Sequence, residues 1–138
     1  MIERLKLCEL IGLAPTTLQD WIVNGIVRPT VPGGKGRGNA AKFDLMTAVG
    51  VAVAAALFKS DRSCVPAFVK SVVAAFASLP EKKLLEKFAE GRTHSAGAHQ
   101  GQPWLQGPDQ GPVFDWPNVK AIYEQVKAAM TEGNDAAS

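Results

Sequence analysis

Residues 12–43 have the sequence GLAPTTLQDWIVNGIVRPTVPGGKGRGNAAKF, and this stretch decides how the first part of the chain folds. Gly12 predicts the end of a first helix, because glycine adopts the left-handed conformation that a tight turn needs. Pro15 predicts the start of a second helix, since proline loses no hydrogen bond at the first helical position. The Asn-Gly pair at 24–25 predicts its end. The four glycines at positions 33 to 38 exclude a helix in the loop that follows.

Both predicted helices carry a narrow apolar stripe, which is typical of a helix-turn-helix. Trp21 follows Leu18 by three residues, so we interpret it as a core aromatic rather than a base-stacking one. Cys8, on the stripe of the helix at residues 2–11, is expected to be a small buried hydrophobe. Short extended segments at 26–29 and 42–43 enclose the basic loop, an arrangement that predicts a β wing.

Helices dominate the rest of the prediction. Asp44 is suited to cap a helix at residues 45–59, whose Ala/Val composition indicates burial on more than one side. Pro66 begins another helix, a short helix follows at 81–90, and Pro117 begins a last amphipathic one. The expected fold class is mainly α: a winged helix-turn-helix with a small β wing, extra helices, and a C-terminal β-hairpin plus amphipathic helix.

The pattern divides the chain into five parts. A linker is predicted from a run of Gly, Ser, His, Ala and Gln, and a hairpin from apolar pairs at 104–105 and 113–114 around a Gly/Pro-rich turn. The predicted parts are a winged helix-turn-helix head at 1–60, supporting helices at 61–90, a flexible linker at 91–103, a small hairpin-helix dimerisation element at 104–131, and a disordered tail at 132–138.

Positive charge is concentrated at the N-terminal end. Residues 1–42 hold six basic and three acidic side chains, whereas residues 93–138 hold two basic and five acidic ones. The formal net charge of the whole chain is only +2. The bias therefore lies on the segment with the predicted helix-turn-helix, where a protein that binds phosphate needs its cations.

Residues 1 to about 90 resemble the winged-helix DNA-binding head of the MerR family. The resemblance rests on GLAPTTL at 12–18, on Trp21, on GIVRP at 25–29, and on a Gly/Arg wing that ends at Phe43. The apolar helix after the wing and the turn into the next helix at Pro66 extend it. It implies a sequence-specific, double-stranded-DNA-binding transcriptional regulator that acts as a homodimer.

Two departures limit what the resemblance implies. The family usually has arginine and then an aromatic just after the leucine that matches Leu18, whereas this chain has Gln19 and Asp20. The family's long dimerising coiled coil is also missing, because no heptad series follows Pro80. A metal- or drug-sensing role is therefore not implied, and any small-molecule effector stays unknown.

The residues themselves predict the same partner. The N-terminus of the second helix offers backbone N–H groups and threonine hydroxyls to phosphate, and the two side chains after Leu18 are short enough to reach base edges in the major groove. Cations on a glycine-rich loop can follow the backbone or enter the minor groove. The predicted DNA-binding residues are Thr16, Thr17, Gln19, Asp20, Arg28, Lys35, Arg37 and Lys42. A solvated hairpin without DNA contact is the other interpretation of the loop.

The last helix carries an apolar stripe with two interpretations. It packs on the core of its own chain, or it pairs with a second copy. We favour dimerisation, because the predicted linker separates the stripe from the head and a lone winged head binds weakly. The predicted dimerisation residues are Val119, Ile122, Tyr123, Val126 and Met130.

Other function classes lack a motif. Cys8 and Cys64 are isolated, which favours reduced thiols, and the start of the chain lacks a signal-peptide pattern, so we expect a cytoplasmic protein. The longest apolar run, 45–58, is too short for a bilayer span, so no membrane association is expected. His94 and His99 stand without Cys or carboxylate neighbours, so no metal site is predicted. No catalytic set and no cofactor motif stand out, so we expect neither an enzyme nor a cofactor.

Two rival functions remain at this stage. The first is a DNA-binding protein of a phage or mobile element, since excisionases and the small subunits of DNA-packaging enzymes resemble the same winged head. The second is a protein–protein interaction module with a structural helix-turn-helix, in which Trp104, Phe114, Trp116 and the last helix bind a partner. Asp20 and the small net charge favour the second.

Overall fold

The structure is a computed structural model that describes residues 1–31, 41–60, 66–99, 101–106 and 117–137. Within these ranges the chain is mainly α. The helices are α1 (Arg4–Ile11), α2 (Pro15–Val23), α3 (Leu45–Ser60), α4 (Pro66–Ser78), α5 (Glu81–Ala89) and α6 (Val119–Ala137). The strands are β1 (Ile2–Glu3), β2 (Lys42–Phe43), β3 (His94–His99) and β4 (Gln102–Gln106). They form two antiparallel pairs, β1 with β2 and β3 with β4.

Helix α3 lies at the centre of the core and contacts α1, α4 and α6. The predicted cap is confirmed, because the backbone N–H of Thr47 donates to Asp44 Oδ1 at 2.9 Å. Burial on more than one side is confirmed too, since seven of the eight residues 48–55 are buried apolar side chains and the eighth is Gly50. At Gly50 an added Cβ would lie 3.0 Å from the carbonyl oxygen of Val73. Glycine at this position therefore lets α3 and α4 approach closely.

A small sheet joins the start of the chain to the segment before α3. Ile2 pairs with Phe43, and both side chains are buried. Lys42 also exchanges backbone hydrogen bonds with Val31, at 3.0 and 2.9 Å. Residues 31 and 42 thus form the base of a loop whose residues 32–40 lie outside the described part of the chain.

The predicted flexible linker at 91–103 is wrong. His94–His99 forms β3, which pairs with β4 around a turn where Gly101 has a φ of 76°. The residues of β3 are small and have little β propensity, so the sequence pattern does not indicate a strand. The strand is held by its backbone hydrogen bonds to β4. The predicted hairpin is displaced accordingly: residue 105 pairs with Ser95, and its expected partners at 113–114 lie outside the described residues.

Helix α6 is longer than predicted and belongs to the common core. It continues through Ala137, so the predicted disordered tail at 132–138 is helical as far as the description reaches. Gly133, Asn134 and Asp135 have low helix propensity, so the local sequence does not indicate this last part of the helix. One cluster of buried side chains extends from Ile2 to Val126. A head and a separate C-terminal element are therefore not distinguished among the described residues.

A polar cluster at the surface joins α5 to α6. The Tyr123 hydroxyl donates a hydrogen bond to Glu81 Oε2, and Lys127 Nζ donates to the same oxygen at 3.2 Å. The hydrogen bond from Tyr123, helped by Lys127, lowers the pKa of the Glu81 carboxyl below its ordinary value. The Tyr123 ring also packs edge-on against Phe88, with 5.7 Å between ring centroids. These contacts fix the middle of α6 beside α5.

None of the helices that the structure describes combines the length and the apolar character needed to cross a bilayer.

Candidate functional site

The turn before α2 is built as the sequence predicts. Gly12 has a φ of 68° and follows the end of α1, and the N–H of Leu13 donates to the carbonyl of Cys8 at 3.0 Å. Lys59, at the end of α3, closes the same helix end, because its Nζ donates to the carbonyl of Ile11 at 2.7 Å. A cation is well placed at a helix C-terminus. The turn that sets the direction of α2 is therefore held both by its own backbone hydrogen bond and by Lys59 of α3.

One face of α2 is packed into the core. Leu18 is completely buried and Trp21 is 7% exposed, with an edge-to-face contact to Phe58 of α3 at 5.6 Å between ring centroids. Trp21 is thus a core aromatic, as expected, and not available for base stacking. Cys8 is also buried as expected, and burial raises the pKa of its thiol. The other face of α2 is left for solvent or a partner.

The outer face presents the predicted recognition residues. Thr16, Gln19 and Asp20 are exposed, and Thr17 is half-buried. Ala14, which precedes the helix, has no side-chain oxygen to cap it, and no other side chain from the described residues takes that role. Pro15 has no N–H, and the N–H groups of Thr17 and Leu18 donate to the carbonyl of Ala14 at 3.0 and 3.2 Å. The backbone N–H of Thr16 is therefore the first-turn donor that is left for an anion such as phosphate among the described residues.

Arg4 connects this helix end to the base of the loop at 32–40. Its backbone N–H donates to the carbonyl of Ala41 at 3.0 Å, and its guanidinium reaches the carbonyl of Pro15 at 3.5 Å, a long contact. A shallow groove of about 260 Å³ runs along the same place. It is lined by Arg4, Leu5, Pro15, Thr16, Gln19 and Asp20. The lining of the groove thus includes one cation, Arg4, and one carboxylate, Asp20.

Arg4 is one of the six basic side chains in residues 1–42, but it is not among the predicted site residues. The sequence shows only that Arg4 lies off the apolar stripe of α1 and therefore does not belong to its buried face. Its approach to Pro15 depends on the angle between α1 and α2, and that angle is set by the packing of both helices on α3.

Two of the four predicted DNA-binding cations, Lys42 and Arg28, belong to the described residues. Lys42 is half-buried at the base of the loop, where it pairs with Glu3 and Val31. Lys35 and Arg37 lie outside the described residues. Arg28 is exposed but does not line the groove; it lines a second cleft beside α4, at the other end of α2. The structure therefore brings Thr16, Gln19 and Asp20 together and does not join Arg28 to them.

The predicted dimerisation stripe needs a correction. Val119, Tyr123 and Val126 are at most 5% exposed within a single chain, and Ile122 and Met130 pack partly buried against the same core. The stripe therefore follows the first of its two interpretations, packing on its own chain, because α6 fills the space beside α3. A homodimer stays a prediction, but these side chains do not provide its surface in this fold.

The described residues hold no cluster of three or more His, Cys, Asp or Glu side chains that is arranged for a metal ion. Comparison of the chain with protein-family models, with curated proteins and with solved structures found no match.

Proposed function

We propose that this protein is a sequence-specific, double-stranded-DNA-binding regulator that resembles the MerR type, with α1 and α2 as its helix-turn-helix and α2 as the recognition helix. One observation carries the proposal: α2 is anchored by Leu18 and Trp21, while Thr16, Gln19 and Asp20 stay exposed on its other face. A recognition helix enters the major groove with its N-terminal residues toward the bases. No catalysis is part of the proposal.

Each exposed residue has a role that its chemistry permits. The hydroxyl and the backbone N–H of Thr16 bind phosphate, which positions the helix without reading sequence. Gln19 donates and accepts hydrogen bonds at an adenine edge, and Asp20 accepts from the amino group of cytosine. Arg4 adds a cation that α2 itself lacks, and it offsets the repulsion between Asp20 and phosphate.

The loop at 32–40 would act as the wing. Its base, Val31 with Lys42, is connected to the start of α2 through Arg4, because Arg4 hydrogen-bonds to Ala41 and contacts Pro15. This connection supports a common surface for the wing and the recognition helix. Lys35 and Arg37 would then reach the backbone or the minor groove beside the helix.

The test is binding to labelled duplexes by fluorescence anisotropy at several salt concentrations, with a selection from a random oligonucleotide pool to find preferred sequences. Arg4→Gln should weaken binding to all duplexes and flatten the log–log salt slope by about 0.9, the value for one phosphate contact. Gln19→Ala should change the preferred sequence instead. Lys82→Gln, an exposed change on α5, is the matched control and should have little effect on either quantity.

The absence of any binding to duplex at about 50 mM salt, where phosphate contacts are strongest, would refute the proposal. Normal binding with an unchanged slope for Arg4→Gln would keep the DNA partner and remove Arg4 from the interface. Binding to duplex alone would not distinguish a transcriptional regulator from a DNA-binding protein of a phage or mobile element. Repeated sites with DNA bending in a footprint would favour the latter.

One observation favours a second candidate, a module that binds another protein. Leu5 is 58% exposed in the groove, and Val23 is 71% exposed at the end of α2. Exposed apolar side chains in a shallow groove suit a protein partner better than they suit phosphate. The same anisotropy assay separates the two functions, because only DNA recognition predicts binding to duplex at low salt.

A further inference from the structure

A second cleft, of about 330 Å³, lies on the other side of the end of α2. One wall comes from the turn after α2 with Gly25 and Arg28, and the opposite wall from α4 with Lys70, Ala74 and Ala77. Thr47, in the first turn of α3, also lines it. The proposed DNA-binding face does not include this cleft, and Arg28 lines the cleft rather than the groove beside Thr16, so the chemistry of the cleft is unassigned.

Small side chains create the space. Ala74 and Ala77 are one turn apart on the exposed side of α4, and Gly25 has a φ of 73° with nothing within 4 Å of an added Cβ. Valine, isoleucine and alanine side chains supply much of the lining. A concave, mostly apolar cleft of this volume, at the lower end of the range of ligand sites, fits a small organic molecule.

The charges of the cleft select the sign of that molecule. Arg28 and Lys70 are exposed on opposite walls, and no acidic side chain lines the cleft. Among the described residues, neither of these cations forms an ion pair, whereas Lys127 does. Helix α3 has no acidic residue, and Asp44, which precedes it, is engaged in capping the helix through its Oδ1. Two cations over an apolar floor are complementary to an anionic group on an apolar body.

We propose that this cleft binds a small organic carboxylate of about ten non-hydrogen atoms, with the carboxylate between Arg28 and Lys70 and the apolar part against Ala74 and Ala77. A free inorganic phosphate or a DNA phosphate would satisfy the cations but leave the apolar walls open to water. A ligand of this size, with two exposed cations as its polar contacts, binds in the millimolar range. The proposal is independent of DNA binding.

The experiment is a two-dimensional ¹⁵N–¹H NMR titration of the full chain with three probes: phenylacetate, its neutral analogue phenylacetamide, and inorganic phosphate. Phenylacetate should cause saturable shifts of the amide signals of Gly25 and Thr47. Phenylacetamide should bind at least tenfold more weakly. Phosphate should leave the signals from Ala74 and Ala77 unshifted, because it does not reach the apolar wall.

Two variants check the assignment. Arg28→Gln with Lys70→Gln removes both charges from exposed positions and should weaken phenylacetate binding at least tenfold. Ala74→Leu fills the cleft from an exposed helix position and should abolish the shifts, while the control Lys83→Gln on α5 should not change them. Equal binding of phenylacetate and phenylacetamide, equal effects of phosphate, or no saturable shift would each overturn the proposal.

Discussion

The contact between Trp21 and Phe58 is one of the side-chain contacts that hold α2 in the core, and it can be measured with a double-mutant cycle. The single variants are Trp21→Leu and Phe58→Leu, which remove the rings and keep apolar bulk. Trp21 is 7% exposed and Phe58 is half-buried, so we expect each change to cost about 1–3 kcal/mol of unfolding free energy. The edge-to-face geometry at 5.6 Å predicts a further coupling of about 0.5–1.5 kcal/mol.

Urea unfolding followed by circular dichroism at 222 nm measures all four proteins of the cycle. With a urea slope of about 2 kcal/mol per molar, a coupling of 1 kcal/mol corresponds to a difference of about 0.5 M in the midpoint. The double variant should therefore unfold at a urea concentration about 0.5 M higher than the sum of the single changes predicts. Phe88→Leu is the matched control for Phe58→Leu, because the aromatic neighbour of Phe88 is Tyr123.

The control pair, Trp21→Leu with Phe88→Leu, should be additive within about 0.5 kcal/mol. A coupling between Trp21 and Phe58 as small as that of the control pair would refute the reasoning. It would mean that Leu18 alone anchors α2 and that the two rings only lie near each other.

Two further predictions concern the core and the α5–α6 contact. Gly50→Leu should lower the midpoint of thermal unfolding by roughly 3–10 °C, because the new side chain would meet the backbone of α4. The control Ala89→Leu, at an exposed site, should have little effect on the midpoint. Equal midpoints for the two variants would disprove the close approach of α3 and α4. Glu81→Gln should cost at most about 1 kcal/mol at pH 7, a small value since the Glu81 side chain is 39% exposed. Because the pKa of Glu81 is lowered in the folded protein, its carboxylate stabilises the fold at pH values above the ordinary pKa of glutamate, about 4.3. The difference in stability between Glu81→Gln and the unchanged protein should therefore disappear as the pH falls below about 4.3. A difference that grows at low pH would contradict the Tyr123 contact.

Local signals predicted the helical part of the fold well. Proline at position 15 and the Asn-Gly pair at 24–25 mark the ends of α2, and Asp44 caps α3 as its position indicates. These features depend on backbone conformation within a few residues, so the sequence around them contains the information. The burial of Trp21 was also predictable, because it falls on the stripe of Leu18.

Long-range features were not predictable from the same patterns. Strand β1 is two residues long and exists because Ile2 meets Phe43, about forty positions away. The stripe on α6 shows that one face is covered but not that α3 covers it. The position of Arg4 at the start of α2 likewise follows from helix packing. The hairpin at 94–106 has small and polar residues, which carry little periodic signal.

The separation between the two faces of α2 affects how the sequence of this protein can evolve. The residues that hold the helix point inward, whereas Thr16, Gln19 and Asp20 support nothing in the core. Substitutions at these three positions therefore alter what the surface recognises while the melting behaviour stays nearly the same. A library randomised only there would consist largely of folded members, so new binding preferences are accessible to evolution or to laboratory selection without compensating changes elsewhere.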